Sequence, residues 1–416
     1  MQRVLNKRIC SIIAASSGNL VEWFDFYIFA FSAVYFAHVF STSENPIIQQ
    51  INTFGVFAAG FFMRPIGSYI FGSLADKVGR KKSMVFSVIL MALGSFIIAA
   101  LPSKDVIGDF AILLLLFARL LQGLSVGGEY GIAATYLSEL ATEGKRGFYS
   151  SFQYVTLIGG QLLAVGSISI MLIVFEEKEM YEYAWRILFV VGGLLALGSL
   201  VVRNVMEESA VKLEHYKDRG TLKALWKHKE RFFMVIGITA GGSLGFYTIT
   251  TYIKTYMINA GIDKALSNNI LLVALFFLMI LQPIFGMLGD KIGHKKSLMI
   301  FSFLGFVGIY PFYHLLGIVK SSIGIFLIIL ALFIILSFYT SVAGIFKAKL
   351  FPEHVRALGT GLGYAVANAI FGGSAPYVAL QFKNAGYENG FFIYVAVLMI
   401  IMFITSFFLP KSTELR

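Results

Sequence analysis

Charge is scarce in this chain. Asp, Glu, Lys and Arg make up 14% of its 416 residues, against about 25% in a soluble domain. A surface wetted on all sides needs more than that, so lipid is indicated as solvent. The 57% hydrophobic content and a mean hydropathy of +0.78 agree. Cysteine is missing except for Cys10; an intramolecular disulfide is excluded and the redox compartment stays unread. No GxxxxGK[ST] occurs, and no glycine-rich stretch has the strand–turn–helix setting of a phosphate loop, which argues against ATP-driven transport. Metal-ligand clusters, hydrolase triads and nucleic-acid motifs are equally lacking. The chain is therefore expected to be no enzyme, to hold no metal or organic cofactor, and to have no nucleic-acid partner. A cleavable signal is not expected either, because the first apolar run is about 30 residues long and carries Glu22 and Asp25.

What is present is apolar length. A spanning helix needs about 20 apolar residues, and twelve segments qualify: 10–40, 51–74, 83–101, 109–138, 148–175, 185–204, 232–258, 268–289, 297–317, 322–350, 357–381 and 389–409. The expected fold is an all-α integral membrane protein with twelve transmembrane helices, several long enough to tilt or project beyond the bilayer. The net charge of +11 is a topology signal rather than a ligand signal. With the N-terminus placed inside, 25 of the 34 Lys and Arg fall on the inner face, 7 fall in outer loops, and Arg64 and Arg119 lie within spans. That excess predicts cytoplasmic N- and C-termini.

A twelve-residue pattern occurs twice. Gly72-Ser-Leu-Ala-Asp76-Lys-Val-Gly-Arg80-Lys-Lys-Ser returns 214 positions later as Gly286-Met-Leu-Gly-Asp290-Lys-Ile-Gly-His294-Lys-Lys-Ser. A second pair has nearly the same offset: Glu139 to Arg146 follows span 4, Glu353 to Arg356 follows span 10, and the two arginines are 210 apart. Half the chain is 208 residues, so two pseudo-symmetric six-helix halves are expected, 1–202 and 232–416. Residues 203–231, the longest polar stretch, are expected to form a cytoplasmic linker with a surface helix, serving as a tether or a regulatory platform. Two equivalent halves are the architecture of a transporter that rocks about its midplane.

Ionisable groups inside spans point to chemistry, because even the lenient insertion scale charges each about 2.5–3.5 kcal/mol. Glu22 and Asp25 sit three apart on one face of span 1, and like charges push one carboxyl towards its protonated form. Such a group suits proton coupling; the alternative is a structural ion pair with Arg119 or Arg64. Arg119 lies about ten residues into span 4, too deep to snorkel easily, and suits a carboxylate of the protein or of a substrate. Glu129 is a second relay candidate or a partner for Arg64. Gly72 and Asp76 share a side of helix 2, where Gly72 admits a neighbouring backbone and Asp76 can accept from a helix N-terminus. Gly286 and Asp290 repeat that geometry. The C-terminal half offers neutral groups, among them Tyr247, Thr250, Gln282, Tyr339 and Asn368. Candidate pocket residues are Arg64, Arg119, Tyr27, Gln153, Tyr247 and Asn368, with His314 near an outer helix end.

These residues resemble the major facilitator superfamily, whose signature after helix 2 reads roughly G-x3-D-R/K-x-G-R-R/K. Gly18-Asn-Leu-Val-Glu22-Trp-Phe-Asp25-Phe, Phe62-Met-Arg64-Pro-Ile-Gly67 and Arg119-Leu-Leu-Gln122-Gly-Leu-Ser-Val-Gly-Gly-Glu129-Tyr are similar to its metabolite:proton symporter branch. That branch includes bacterial permeases for α-ketoglutarate, citrate, shikimate, and proline or betaine. The resemblance implies a monomeric carrier in the bacterial inner membrane that takes up a small carboxylated metabolite with protons by alternating access. It implies proton coupling or substrate-anion binding at Arg119. It also implies a cytoplasmic gate in which Gly72, Asp76 and Arg80 meet helix 11, Gly286 and Asp290 meet helix 5, and Glu139, Arg146, Glu353 and Arg356 assist. A proline- or betaine-type zwitterion symporter is the alternative, and a proton-driven efflux antiporter ranks below it. A non-transporting sensor would need an appended signalling domain. Two departures stand out: His294 replaces the arginine of the second signature copy, and the seven residues after Leu409 offer no coiled coil of the osmosensing kind.

Overall fold

The computed structural model describes residues 2–78, 80–127, 144–205 and 220–410, with 2–18, 72–84, 202–205, Glu353 and Ala357 described by backbone alone. Its regular structure is helical. Twelve rods follow one another: α1 Gln2–Phe40, α2 Pro46–Val78, α3 Arg80–Ala100, α4 Phe110–Gly127, α5 Arg146–Val174 and α6 Trp185–Val205. Then come α7 Lys229–Tyr247, α8 Lys264–Ile292, α9 His294–Ile318, α10 Ser322–Thr340, α11 Arg356–Ala367 and α12 Glu388–Phe407. Three rods run on past a change of winding. α7 continues through a π-turn, Thr248–Tyr252, into Ile253–Asn259; α10 restarts as Ala343–Lys349; α11 passes through a π-turn, Asn368–Gly372, into Ala375–Asn384.

Among the described residues, ten stretches are long and apolar enough to cross a membrane by themselves. Of the other two rods, α3 has an apolar part of only Val85–Ala100. Large apolar side chains such as Phe117, Ile173, Ile323 and Phe408 point outward from the bundle, as a lipid-facing surface requires. α1 is the reverse case. From Trp23 to Phe40 nearly every side chain is buried, including nine aromatics, so this helix is apolar all round and sits inside its bundle. It packs on α2, α5 and α6.

Helices α5 and α8 pack along each other, as do α2 and α11, and these pairs join the two halves. We call the end carrying the repeated pattern the signature end. There the halves touch through Asp290 on the start of α5 and through Ser150 Oγ, which accepts from Ile345 N at 3.1 Å. At the opposite end Lys264 Nζ meets Glu177 Oε1 at 2.7 Å, and Asn259 Nδ2 approaches Gln50 Oε1 at 3.4 Å. The stretch expected as a linker differs at its end: a short helix, Leu222–Trp226, precedes α7, which already begins at Lys229. Residues 206–219 lie outside the described residues.

Candidate functional site

The acidic pair of α1 separates in space. Residues three apart on a helix differ by about 60° in direction, and that suffices to send the two carboxyls into different surroundings. Asp25 is fully buried inside the N-terminal half, where Ser95 Oγ of α3 donates to Oδ1 at 2.5 Å and Gln122 Nε2 of α4 donates to Oδ2 at 2.6 Å. Gly192 of α6 closes the wall, since a methyl group there would collide with Asp25 Oδ1. Glu22 instead lines a small cavity between the halves, together with Asn19, Trp23 and Arg64 of the first half and Tyr364 and Ala365 of α11. The expectation of one shared acidic face is corrected accordingly: the two groups occupy adjacent but distinct sites.

Arg119 reaches Asp25 through an intermediary. Its Nη1 donates to Gln122 Oε1 at 2.6 Å, and the same amide passes the contact on to Asp25. Its guanidinium carbon also lies 4.3 Å from the ring centres of Phe26 and Phe29. Arg64 is stacked as well, 3.8 Å from Phe61, 4.5 Å from Phe26 and 4.9 Å from Trp23. Phe26 therefore serves both cations. Nε and Nη2 of each arginine are buried without a hydrogen-bond partner, and these two atoms form the side-on fork that grips a carboxylate. Gly127 lets the α2 backbone at Arg64 press against α4, a position where a Cβ would strike the Arg64 carbonyl.

Outside the lining of this cavity, the C-terminal half contributes aromatics and one bare amide. Tyr247 ends the regular part of α7 and touches Phe61 at 5.2 Å and Tyr27 at 6.4 Å between ring centres. Tyr27 itself stacks between Trp23 and Phe31. Asn368 opens the π-turn of α11, fully buried, and neither amide atom has a hydrogen-bond partner. An unsatisfied buried polar group costs about 1–3 kcal/mol, and a π-turn is often found where helices serve function. Gln153 stands apart from this group, on α5 against Gly344.

Of the gate candidates, Asp290 is the clearest. Its Oδ1 accepts from Gly147 N at 2.7 Å and its Oδ2 from Phe148 N at 3.0 Å, both in the first turn of α5. Gly286 makes the approach possible, because a Cβ there would lie 2.7 Å from the Gly147 carbonyl oxygen. His294 Nε2 sits 3.1 Å from Asp290 Oδ1, so the departure from the signature places a ring beside the latch. Arg146 starts α5, and Arg356 Nε donates to the Phe351 carbonyl at 3.1 Å. Gly72, Asp76 and Arg80 lie on helical backbone, Asp76 and Gly72 on α2 and Arg80 at the start of α3, and Glu353 lies in a 3-10 turn; their side chains, and Glu129 and Glu139 altogether, lie outside the described residues. His314 stacks on Tyr310 at 6.1 Å.

The model of the sugar (and other) transporter family matches residues 10–213 and 201–416, which together take in nearly the whole chain. The chain belongs to this family of the major facilitator superfamily. It is 51% identical to the alpha-ketoglutarate permease of Escherichia coli over 98% of its own length and 94% of that protein. It is 33% identical to the citrate-proton symporter of Klebsiella pneumoniae, covering 89% of this chain and 85% of the other. It is also 33% identical to a putative proline/betaine transporter of Staphylococcus aureus, over 97% and 88%. Among solved structures, the partially occluded, inward-open xylose transporter XylE of E. coli superposes with a TM-score of 0.76 at 18% identity, over 97% and 98% of the two chains. The resemblance to the superfamily and the twelve-helix transporter fold therefore hold.

Two buried cations of this transporter escaped the sequence reading. Lys254 and Lys347 fall near the ends of spans 7 and 10 and were counted there with the loop charges, yet both are buried, at 2% and 0% exposure. Lys254 Nζ donates to the Phe31 carbonyl at 2.9 Å and to Asn268 Oδ1 at 2.7 Å. Lys347 Nζ donates to Tyr339 Oη at 3.1 Å. The loop charges therefore include two residues that serve the interior, one counted on each side. Gln122 was likewise quoted only as part of a motif; its three-residue spacing from Arg119 was the available signal.

Proposed function

We propose that the protein imports a small carboxylated metabolite together with protons, by alternating access, as a monomer whose signature end and termini face the cytoplasm of a bacterial cell. The observation that carries the reading is Arg64: a buried guanidinium on the inter-half cavity, beside Glu22, with the Nε–Nη2 fork unpartnered. Leaving charged donors unsatisfied is costly, and a carboxylate is the ligand whose geometry answers both atoms. Relatives named for α-ketoglutarate and citrate support an organic anion. Betaine is disfavoured because the aromatic faces of Trp23, Phe26 and Phe61, which would receive a quaternary ammonium, already carry Arg64.

In this reading Asp25 or Glu22 carries the proton and Arg119 sets the charge around Asp25. Asp290 caps α5 while the cytoplasmic side is closed, and Asp76 does the same against α11. The test is binding by purified protein. Arg64→Gln should abolish the thermal stabilisation given by α-ketoglutarate while leaving the unliganded midpoint within a few degrees. Arg64→Lys should bind more weakly than the native protein, since an ammonium offers no fork. A variant that binds normally yet fails to concentrate substrate assigns Arg64 to coupling instead.

A further inference from the structure

We propose that Asn368 of α11 reads the substrate's uncharged oxygen: its amide receives the carbonyl or hydroxyl of an oxygen-bearing dicarboxylate that is held by a carboxylate at Arg64. The proposal rests on the reading of Arg64 as a carboxylate anchor and extends it to the substrate class. Asn368 opens the π-turn of α11 at 0% exposure. Its backbone carbonyl is satisfied, accepting from Gly373 N at 2.8 Å, five residues on. Its side chain is not, since neither Oδ1 nor Nδ2 has a hydrogen-bond partner. An amide with a structural duty would cap a helix or bridge to a neighbour. This one does neither, and by staying bare it lowers stability. Buried groups of that kind call for a reason, and π-turns recur where helices serve function.

Gly372 gives the amide its place. A Cβ there would collide with Asn368 Oδ1 and lie 3.0 Å from both Ser243 and Tyr247, which are one turn apart on α7. At Gly373 a Cβ would fall on the ring of Phe61. That ring lies 3.8 Å from the Arg64 guanidinium carbon and 5.2 Å from the ring centre of Tyr247. Phe61 therefore borders both the anchor and the turn that carries the amide. Ser243, Tyr247 and Phe61, which close in on this turn, are uncharged, so the position offers hydrogen bonds without net charge. A carboxylate already gripped by the Arg64 fork gains little from that. A carbonyl gains a donor in Nδ2, and a hydroxyl gains Nδ2 as donor and Oδ1 as acceptor. An acid lacking such an oxygen leaves the amide bare, which is how a buried polar group discriminates between ligands.

The experiment titrates full-length protein calorimetrically with three diacids of equal length: glutarate, α-ketoglutarate and 2-hydroxyglutarate. Native protein should bind the two oxygenated acids about ten-fold or more tighter than glutarate, the scale of a buried polar group left unpaired. Asn368→Leu should bring both down to the glutarate level while leaving glutarate itself within about two-fold. The unliganded thermal midpoint of Asn368→Leu should stay level or rise, because an apolar side chain of similar size removes two unsatisfied atoms. A structural amide would instead lower that midpoint. Equal weakening of all three acids, an Asn368→Leu protein too unstable to titrate, or a preference that is missing from native protein or survives the substitution overturns the proposal while leaving Arg64 as anchor. Unchanged binding of all three acids by Arg64→Gln overturns the underlying reading instead.

Discussion

The Asp25 carboxylate is surrounded by neutral donors, Ser95 and Gln122, with the Arg119 guanidinium one hydrogen bond further away. An amide at this position can keep both contacts by rotation but cannot titrate. Asp25→Asn should therefore abolish accumulation driven by a pH gradient while substrate exchange across proteoliposome membranes continues; loss of exchange as well would assign Asp25 to structure. Gln122 is a positioning residue. Gln122→Leu strands Arg119 Nη1 and Asp25 Oδ2 together, and should lower stability by about 2–3 kcal/mol, read as a fall in the thermal midpoint that Gln122→Glu does not reproduce in the same way. At this scale the sequence was legible wherever a charge lay deep inside an apolar run, as at Glu22, Asp25, Arg64 and Arg119. It was silent where direction mattered. The three-residue spacing of Glu22 and Asp25 indicated a shared face, but neighbours on α3, α4 and α6 claim one carboxyl and the inter-half cavity the other.

Among the elements, α5 and α8 show how a repeat becomes a moving part. Gly286 brings α8 against the start of α5, and Asp290 then answers two N–H groups of its first turn. A carboxylate at a helix N-terminus is worth about 0.3–1 kcal/mol when exposed and up to ~2 kcal/mol when partly buried. Asp290→Asn should shift the population towards signature-end opening by up to about 30-fold. Cysteine labelling from that side, in a Cys10→Ser background, should rise accordingly; unchanged labelling would reduce Asp290 to a topology residue. The twelve rods were legible because lipid demands apolar length and nothing else. The π-turns after Tyr247 and at Asn368 were not, since the glycines beside them, Gly241, Gly242, Gly372 and Gly373, read equally as helix-packing residues. Lys254 and Lys347 were hidden for a related reason: residues near a span end are assigned to the loop, although long stems carry their charges inward.

The whole molecule is tied across its two halves at both ends. Asp290 and Ser150 act at the signature end. At the other, Lys254 bridges Phe31 and Asn268, while Asn268 Nδ2 donates to the Val165 carbonyl at 3.1 Å and to Ser169 Oγ at 2.7 Å. Alternating access requires one set to break while the other holds, and each set is a handful of hydrogen bonds worth about 1 kcal/mol apiece. Asn268→Ala removes an acceptor from the buried Lys254 ammonium, so it should favour opening of the far side; a Gln50→Cys probe there, again without Cys10, should label faster from outside. The two-halved architecture was evident from the 214-residue offset, whereas the identity of these ties was not, because they pair residues about 100 to 220 positions apart with no shared motif. Proton coupling is the central property of the molecule. The direct measurement is α-ketoglutarate uptake into proteoliposomes with the outside acidic, with and without a protonophore. Uphill accumulation that collapses with the protonophore, and is absent from the Glu22→Gln/Asp25→Asn protein, is the predicted result; accumulation by that double variant, or uptake indifferent to the gradient, would contradict it.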